Sequence, residues 1–463
     1  MLISSTRARL LLAAVLAAGV VHGPATGHAR AAEPPSVAPP SVEPPSVEGP
    51  VPGAPPGDPS SPRPEDTYPW LATNADLAAA GYVEQEFYLS GTADAYGPTG
   101  ELLGSDVPYE TRVIVRRPAK QARFNGTVIT EWQNVSAGYD LDALWSTDQI
   151  TRAGYAWVGV SAQRVGVEGL RRWSPARYGD LDVTGGGRFT ADELSYGIFA
   201  AAAKALRAPK GLLGGLKART VLAAGASQSA GRMTVYYDSV LPKTEKVFDG
   251  YAFVVGPAPA RRGPEPVFHV LSETDVRSPV RQPDTGTYRR WEVAGSAHSG
   301  WHGQQYRAPI LTRDLGAAPT YECARPPFSR VPLHHVIAAA YDHLVRWTER
   351  GTAPPAAPPL EFAADGTKAR DEHGLARGGI RLSQVAVPTA LNTGDNSGET
   401  FCVLFGTHVP FDKAKLDALY PSRGGYVASV ARADARNLRA GFLLPADARQ
   451  NARDALHSGP GTG

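Results

Sequence analysis

Cysteine is scarce in this chain, with two residues among 463. The formal net charge is only +2, so no excess of charge points to nucleic acid or to an acidic partner. Neither a His-Glu-x-x-His nor a Cys-x-x-Cys motif occurs, and Gly185-Gly186-Gly187 is not followed by the Gly-Lys-Ser of a phosphate loop. We therefore expect no metal ion, no other cofactor and no nucleic-acid partner.

Long apolar runs are also missing. The longest one near the start, from Leu10 to Val21, has twelve residues, whereas a helix that spans a bilayer needs about 20. Arg7 and Arg9 precede it, and Ala29-Arg30-Ala31 follows as an A-x-A cleavage site. The pattern predicts a signal peptide over residues 1–31 and a secreted or extracytoplasmic protein without a stable membrane span. A membrane-proximal anchor is the alternative.

Proline is concentrated after this segment. Pro-Pro-Ser-Val recurs at Pro34, Pro39 and Pro44, and hardly any aromatic residue lies nearby. Such a composition cannot bury enough apolar surface to fold, so residues 32–66 are predicted to be a disordered, extended linker. The chain then keeps a globular composition, which predicts one catalytic domain over residues 67–450 and a flexible tail over 451–463.

The globular part alternates between apolar strands and amphipathic helices. Such alternation predicts an α/β fold with a mostly parallel central sheet and helices on both faces. The predicted strands are 82–89, 111–117, 127–132, 155–161, 221–226, 251–255, 267–271 and 288–294, and the predicted helices are 140–153, 195–206 and 331–350.

A small-residue turn follows the strand at 221–226. Gly225-Ala226-Ser227-Gln228-Ser229 joins it to a helical segment, an arrangement typical of a nucleophile elbow. A serine at such a turn needs a neighbouring base to take its proton. Ser229 also has small flanking residues and is the alternative nucleophile. Because the apolar strand ends at Ala226, Ser227 occupies the turn and is the preferred candidate.

Two later strand ends supply the other residue types of a serine hydrolase. His298 follows the strand that ends at Ala294 and is the predicted base, with His302 as the alternative. Asp275 follows the strand 267–271 and is the predicted acid, with Glu273 as the alternative. Since ligands of open parallel sheets bind at the carboxyl ends of strands, we expect these residues to meet there.

The oxyanion donors are expected from two backbone positions. One is the N–H of Gln228, directly after the nucleophile, and the other belongs to the loop that follows the strand 127–132. Asn134 is the preferred donor in that loop, with Gln133 and Val135 as alternatives. The order Ser227, Asp275, His298 is the order that the α/β-hydrolase fold imposes on its triad.

Several motifs resemble those of the family called "alpha/beta hydrolase domain". The resemblance runs from about residue 80 to 450, and it implies an α/β-hydrolase fold with cap or loop insertions and a Ser-Asp/Glu-His triad. The elbow departs from the expected Ser-Gln-Ser-Gly-Arg by having Ala230 before Gly231. The motifs are Glu131–Asp140, Trp157–Gln163, Gly225–Ser229, Ser272–Asp275, Trp291–His298, Phe401–Phe411 and Leu419–Pro421.

The two cysteines form an even pair. In an exported chain, Cys323 and Cys402 are expected to form a disulfide that closes a loop of 79 residues. Such a closure is worth about 4 kcal/mol by the chain-entropy argument. Two separate buried thiols are the alternative.

Together these features predict a secreted serine esterase that acts on a small-molecule ester through an acyl-enzyme. An amidase, lactonase or acyltransferase with the same triad is one alternative, and a non-catalytic binding protein on a hydrolase scaffold is another. Five aromatic residues in loops after strands are candidates for the substrate pocket: Trp173, Tyr178, Phe189, Trp301 and Tyr306.

Overall fold

The computed structural model describes residues 41–53, 66–208, 211–458 and 460. The predicted signal peptide, 1–31, and most of the predicted linker lie outside these residues. No helix in the described part of the chain combines the length and the apolar character needed to cross a bilayer.

A nine-stranded sheet forms the centre of the domain, with the strand order β1-β2-β3-β5-β4-β6-β7-β8-β9. The predicted strands are all present in it, and the first hairpin is longer than the sequence pattern indicates. The strands are β1 Ser46–Glu48, β2 Tyr82–Tyr96, β3 Leu102–Pro118, β4 Thr127–Trp132, β5 Ala156–Val160, β6 Thr220–Ala226, β7 Gly250–Val254, β8 Val267–Ser272 and β9 Tyr288–Val293.

The sheet is antiparallel at one edge and parallel elsewhere. The pairs β1-β2, β2-β3 and β3-β5 are antiparallel. The pairs β5-β4, β4-β6, β6-β7, β7-β8 and β8-β9 are parallel. β1 lies inside the range predicted as linker, and its three extended residues are hydrogen-bonded to the outer edge of β2. The mostly parallel α/β sheet predicted from the sequence is confirmed.

The helices lie between the strands and after them. The predicted helix at 140–153 is shorter than expected: α1 begins only at Thr147, because Asp140–Ser146 forms a loop whose Leu141 pairs with Asn134. The helices are α1 Thr147–Ala153, α2 Arg164–Trp173, α3 Pro175–Tyr178, α4 Ser195–Arg207, α5 Gln228–Val235, α6 Trp301–Leu315, α7 Leu333–Arg350, α8 Ser383–Ala386, α9 Cys402–Phe405, α10 Lys413–Leu419, α11 Arg423–Ala440 and α12 Pro445–Ser458.

Two apolar clusters cover the two faces of the sheet. Successive residues of β6 contribute to them alternately: Val221 and Ala223 join one cluster, and Leu222 and Ala224 join the other. This alternation follows from the two-residue period of a strand, and all seven residues of β6 are buried. A strand buried on both faces and hydrogen-bonded on both edges holds the residue that follows it in a fixed position.

The segment after α7 completes the domain. It contains a separate two-stranded antiparallel sheet, β10 Ala390–Thr393 and β11 Thr407–Pro410. Cys402, at the start of α9, forms a disulfide with Cys323, so the bond predicted from the even pair is present. The last helix, α12, continues past residue 450 into the range predicted as tail.

Candidate active site

Ser227 lies at the sharp turn between β6 and α5. Its backbone angles are φ 58° and ψ −117°, a conformation that costs a non-glycine residue about 1–3 kcal/mol. Glycines surround the turn because it is crowded: a Cβ at Gly256 would lie 2.7 Å from the Ser227 carbonyl oxygen, and one at Gly225 would lie 2.9 Å from that of Ser229. The strained turn places Ser227 in the lining of a cavity.

Ser229 has a different place, in the first turn of α5. It is fully buried, and its hydroxyl accepts a hydrogen bond from the Ala226 N–H and donates one to the Ala226 carbonyl, both at 2.9 Å. The Ser229 hydroxyl therefore bridges the backbone N–H and carbonyl of Ala226 within the turn. Ala230, the residue that departs from the expected elbow, is also fully buried, and α5 still begins directly after Ser227.

His298 and Asp275 meet at the carboxyl ends of β9 and β8. His298 Nδ1 lies 2.7 Å from Asp275 Oδ1, and the His298 N–H donates to the Thr274 hydroxyl at 3.2 Å. The second Asp275 oxygen accepts a hydrogen bond from the Ser272 hydroxyl at 2.5 Å. Both oxygens of Asp275 are thus positioned, and His298 lines the same cavity as Ser227.

Glu273, the alternative acid, lies behind the site. Its carboxylate is fully buried and accepts hydrogen bonds from the backbone N–H groups of Gly295 at 2.6 Å and Gly394 at 3.0 Å. It also forms an ion pair with Arg370 at 2.7 Å. These contacts bind the loop after β9 to the segment after β10, so Glu273 holds in place the loop that carries His298.

His302, the alternative base, lies in the first turn of α6. Its ring stacks on that of His334, with centroids 3.6 Å apart and planes inclined by 14°. Burial lowers the pKa of both imidazoles. His302 therefore forms part of the cavity wall, whereas His298 is the histidine bonded to Asp275.

The predicted oxyanion loop follows β4 and contacts the elbow. The Asn134 side-chain amide donates to the Ala226 carbonyl at 2.9 Å, and the Asn134 backbone carbonyl accepts a hydrogen bond from the Leu141 N–H at 2.9 Å. Of the alternative donors, the Gln133 N–H is hydrogen-bonded within the sheet to Val160 at 3.3 Å. The Asn134 side chain thus ties the loop to the turn that carries Ser227.

Gln163 is a residue at this site to which the sequence analysis assigns no role, although it is the last residue of the motif Trp157–Gln163. It is fully buried after β5, and its side-chain amide donates to the Gln133 carbonyl at 2.9 Å and to Gln228 Oε1 at 3.1 Å. Gln228 Oε1 also accepts from the Val135 N–H at 3.4 Å. The position of Gln163, at a strand end beside the elbow, is the signal that could have identified it.

The cavity has a volume of about 1060 Å³, which is at the upper end of small-molecule pockets. It is lined by Asn134, Ser227 and His298 together with α1, α6, α7, α9 and α12. Trp301 and Tyr306 line it as predicted. Trp173, Tyr178 and Phe189 do not, because they pack in or against the large apolar core. Within the described ranges, no cluster of three or more side chains could hold a metal ion.

A buried carboxyl group lies in β4, below the loop of the site. Burial and the neighbouring Asp142 raise the pKa of Glu131 from 4.5 to about 8. The Leu144 N–H and the Trp157 indole N–H donate to this carboxyl at 3.1 and 2.9 Å. Arg116 lies between the rings of Trp145 and Trp157. It forms an ion pair with Asp142 rather than with Glu131. Glu131 is thus mostly protonated at neutral pH.

Protonation of Glu131 makes the stability of the fold depend on pH. Between about pH 4.5 and 8 the unfolded chain loses the proton that the folded chain keeps, so the free energy of unfolding falls as pH rises. Glu131→Gln should remove this term, giving a relative gain on the order of 2–4 kcal/mol from pH 5 to 8. Urea unfolding at several pH values measures it, with the exposed Glu399→Gln as the control. Parallel curves for Glu131→Gln and the unsubstituted protein would contradict the assignment.

The strand order and the serine turn define the class of the protein. Without β1, the order β2-β3-β5-β4-β6-β7-β8-β9, with a strained serine after the fifth strand, an acid after the seventh and a histidine after the eighth, is that of an α/β-hydrolase. A family described as "Alpha/beta hydrolase domain" matches residues 47–453. The chain belongs to this family, as the sequence motifs predicted.

Similarity to individual proteins is weak. The esterase Est22 has 11% identity over 43% of this chain and 67% of its own, with a TM-score of 0.25. The rice cell wall degrading esterase LipA from Xanthomonas oryzae has 17% identity over 38% of this chain and 43% of its own, with a TM-score of 0.22. A prolyl endopeptidase has 12% identity over 51% and 38%, with a TM-score of 0.27. No curated protein matches the chain. At these TM-scores the likenesses carry no argument about activity.

Proposed function

We propose that this protein is a serine carboxylic ester hydrolase with Ser227 as nucleophile, His298 as base and Asp275 as the residue that orients the base. The observation that carries the proposal is the 2.7 Å contact between His298 Nδ1 and Asp275 Oδ1, on the cavity that Ser227 also lines. With Nδ1 donating its proton to Asp275, His298 keeps Nε2 as a free lone pair that accepts the Ser227 proton.

Acylation follows from this arrangement. His298 Nε2 takes the hydroxyl proton while Ser227 Oγ forms a bond to the ester carbonyl carbon. Asp275 stabilises the imidazolium that results. His298 then returns the proton to the leaving alkoxide as the carbon–oxygen bond to it breaks, so an alcohol departs and an acyl-Ser227 remains. Water repeats these steps and releases a carboxylic acid.

The oxyanion of each tetrahedral intermediate needs backbone donors. The N–H of Gln228 is the first N–H of α5, where the positive end of the helix dipole adds to its effect. The second donor in the proposal is the Asn134 backbone, on the loop that the Asn134 side chain ties to Ala226. Each such donor is worth about 3–4 kcal/mol in related sites. Gln163 supports both segments through Gln133 and Gln228.

The site of action in the proposal is outside the cytoplasm. The Cys323–Cys402 disulfide supports it, because such bonds persist in oxidising compartments. The predicted signal peptide over residues 1–31 agrees with the same location. The substrate in the proposal is a small-molecule ester, since the cavity accommodates a ligand of drug-like size.

A covalent probe tests the proposed activity. The purified protein is treated with a fluorophosphonate, and the adduct is mapped by peptide mass spectrometry. We expect one adduct, on Ser227, together with turnover of short 4-nitrophenyl esters. A matched 4-nitroanilide series separates ester from amide hydrolysis. If the folded protein takes up no probe and hydrolyses none of the compounds, the enzymatic proposal fails and the binding-protein alternative gains.

A further inference from the structure

One arginine of the cavity wall lies next to the proposed base. Arg307, two turns into α6, lines the cavity, and its guanidinium donates to the hydroxyl of Ser299 at 3.0 Å. Ser299 directly follows His298, and its own N–H is fixed to the Leu404 carbonyl at 2.9 Å. The positive charge of Arg307 is thus held against the residue that follows His298 in the chain.

Among the described residues, Arg307 has no carboxylate partner. This distinguishes it from Arg152 in the same cavity, which forms an ion pair with Asp447 at 2.8 Å. The contact with Ser299 does not by itself require a positive charge at this position. A neutral amide can donate to the same hydroxyl, and Gln304 already does so at 3.1 Å. The Arg307 side chain is partly exposed in the cavity, so a ligand carboxylate can reach its guanidinium and pair with it.

Two tyrosines converge on the same part of the wall. Burial raises the pKa of Tyr139, the neighbouring Tyr321 raises it further, and Arg307 opposes both effects. Burial likewise raises the pKa of Tyr321, again opposed by Arg307. Both hydroxyls therefore stay protonated and can donate. Neither phenol forms a hydrogen bond within the part of the chain that the structure describes, and both residues line the cavity.

We propose that Arg307, Tyr139 and Tyr321 form a carboxylate subsite, so that the preferred substrate is an ester that carries a carboxylate a few bonds from the cleaved bond. The inference rests on the proposed ester hydrolysis. A guanidinium and two phenolic hydroxyls supply the donors that a carboxylate accepts, and a charge-assisted pair of this kind is among the strong hydrogen bonds. The carboxylate belongs either to the acyl part or to the alcohol part of the ester.

Acidic residues of the cavity lie on other elements. Asp148 is on α1, and Asp454 is on α12, where Gln450 donates to it. Asp447 is neutralised by Arg152. Arg330, which lies over the Trp301 ring at 4.7 Å, adds a second positive charge on the side of Arg307, while Arg449 and Arg453 line the cavity from α12. The segment between His298 and Arg330 therefore presents cations to the cavity, which favours an anionic group on that side.

Two matched substrate pairs test the subsite. For the acyl side, 4-nitrophenyl hemiglutarate is compared with 4-nitrophenyl pentanoate, and for the alcohol side 4-acetoxybenzoate is compared with its methyl ester, each corrected for spontaneous hydrolysis. We expect kcat/KM to favour one anionic member at least tenfold. Arg307→Met should remove this preference, bringing the ratio of kcat/KM for the anionic over the neutral member close to one. Arg436→Met, an equal loss of charge at an exposed position of α11 outside the cavity, should keep it.

The outcomes separate the subsite from the proposed chemistry. If neutral and anionic esters are cleaved equally by the unsubstituted protein, or the preference survives Arg307→Met, the subsite is refuted while ester hydrolysis stands. If no ester is cleaved and no fluorophosphonate adduct forms, the hydrolase proposal fails first. Tyr139→Phe, which removes one donor without removing charge, should lower the preference by a smaller factor. It provides the same test if Arg307→Met does not fold.

Discussion

Ser227→Ala should lower kcat/KM for short esters by a factor of about 10⁵–10⁶, the size seen when the nucleophile of a serine hydrolase is removed. Of the two serines of the elbow, Ser227 is the one that lines the cavity, at a turn whose positive φ of 58° raises its side chain off the end of β6. Removal of Oγ leaves the acyl group nothing to bond to, while binding by the cavity is retained. Initial rates on a 4-nitrophenyl ester measure the loss.

Ser229→Ala is the matched control for this substitution. It removes an identical hydroxyl two residues away, which is fully buried and bonded to both backbone groups of Ala226. Its loss should lower the free energy of unfolding by about 1–2 kcal/mol, since the Ala226 N–H then has no partner. Activity of the folded variant should fall less than tenfold. A folded Ser229→Ala protein that no longer takes up the probe, with labelling retained in Ser227→Ala, would reverse the assignment.

Much of the fold is visible in the sequence because parallel strands buried on both faces are continuous apolar runs. β6 is such a run, and its seven buried residues end at Ala226, which places the turn. Ser227, Asp275 and His298 each follow such a strand. Because the carboxyl ends of parallel strands lie at the same edge of the sheet, the three residues are expected to meet there. The same logic fails for Asp140–Ser146, where apolar spacing resembles a helix but pairing of Leu141 with Asn134 holds a loop.

Roles that depend on side-chain direction are harder to predict. Glu273 and Asp275 are two residues apart in one short turn, and both follow β8 at a distance suited to an acid. Only the fold shows that Gly295, Gly394 and Arg370 surround the first, because two of these partners lie about 100 residues further along the chain. Distant partners of this kind leave no trace in local spacing.

Most of the cavity wall, apart from Trp301 and Tyr306, was also beyond prediction for a related reason. Trp173 and Tyr178 follow a strand, as pocket residues often do, yet Trp173 packs against the rings of Trp70 and Tyr178, and neither residue lines the cavity. Apart from α1, the helices that line the cavity are α6, α7, α9 and α12, which follow the last strand of the nine-stranded sheet. Strand–helix alternation ends before these elements, so no periodic pattern indicates where they fold back.

Asp275→Asn should lower kcat for short esters by about 10⁴, with a much smaller change in KM. An amide at this position can donate to His298 Nδ1 instead of accepting from it. The imidazole is then held with its proton on Nε2, where it cannot accept the Ser227 proton. The imidazolium formed during acylation also loses the charge 2.7 Å away that stabilises it. Steady-state kinetics on one ester, with thermal unfolding to verify the fold, measure both effects.

Glu273→Gln provides the contrast, because it makes the same chemical change two residues earlier. One oxygen of Glu273 accepts from the Gly295 N–H at 2.6 Å, and the other accepts from the Gly394 N–H and Arg370. An amide nitrogen in either place faces a donor, so we expect a loss of about 2–3 kcal/mol in the free energy of unfolding. The folded fraction should keep kcat within about tenfold. If instead kcat falls 10⁴-fold in a variant of unchanged stability, and Asp275→Asn stays active, then Glu273 is the acid and the bond from Asp275 to His298 has a structural role.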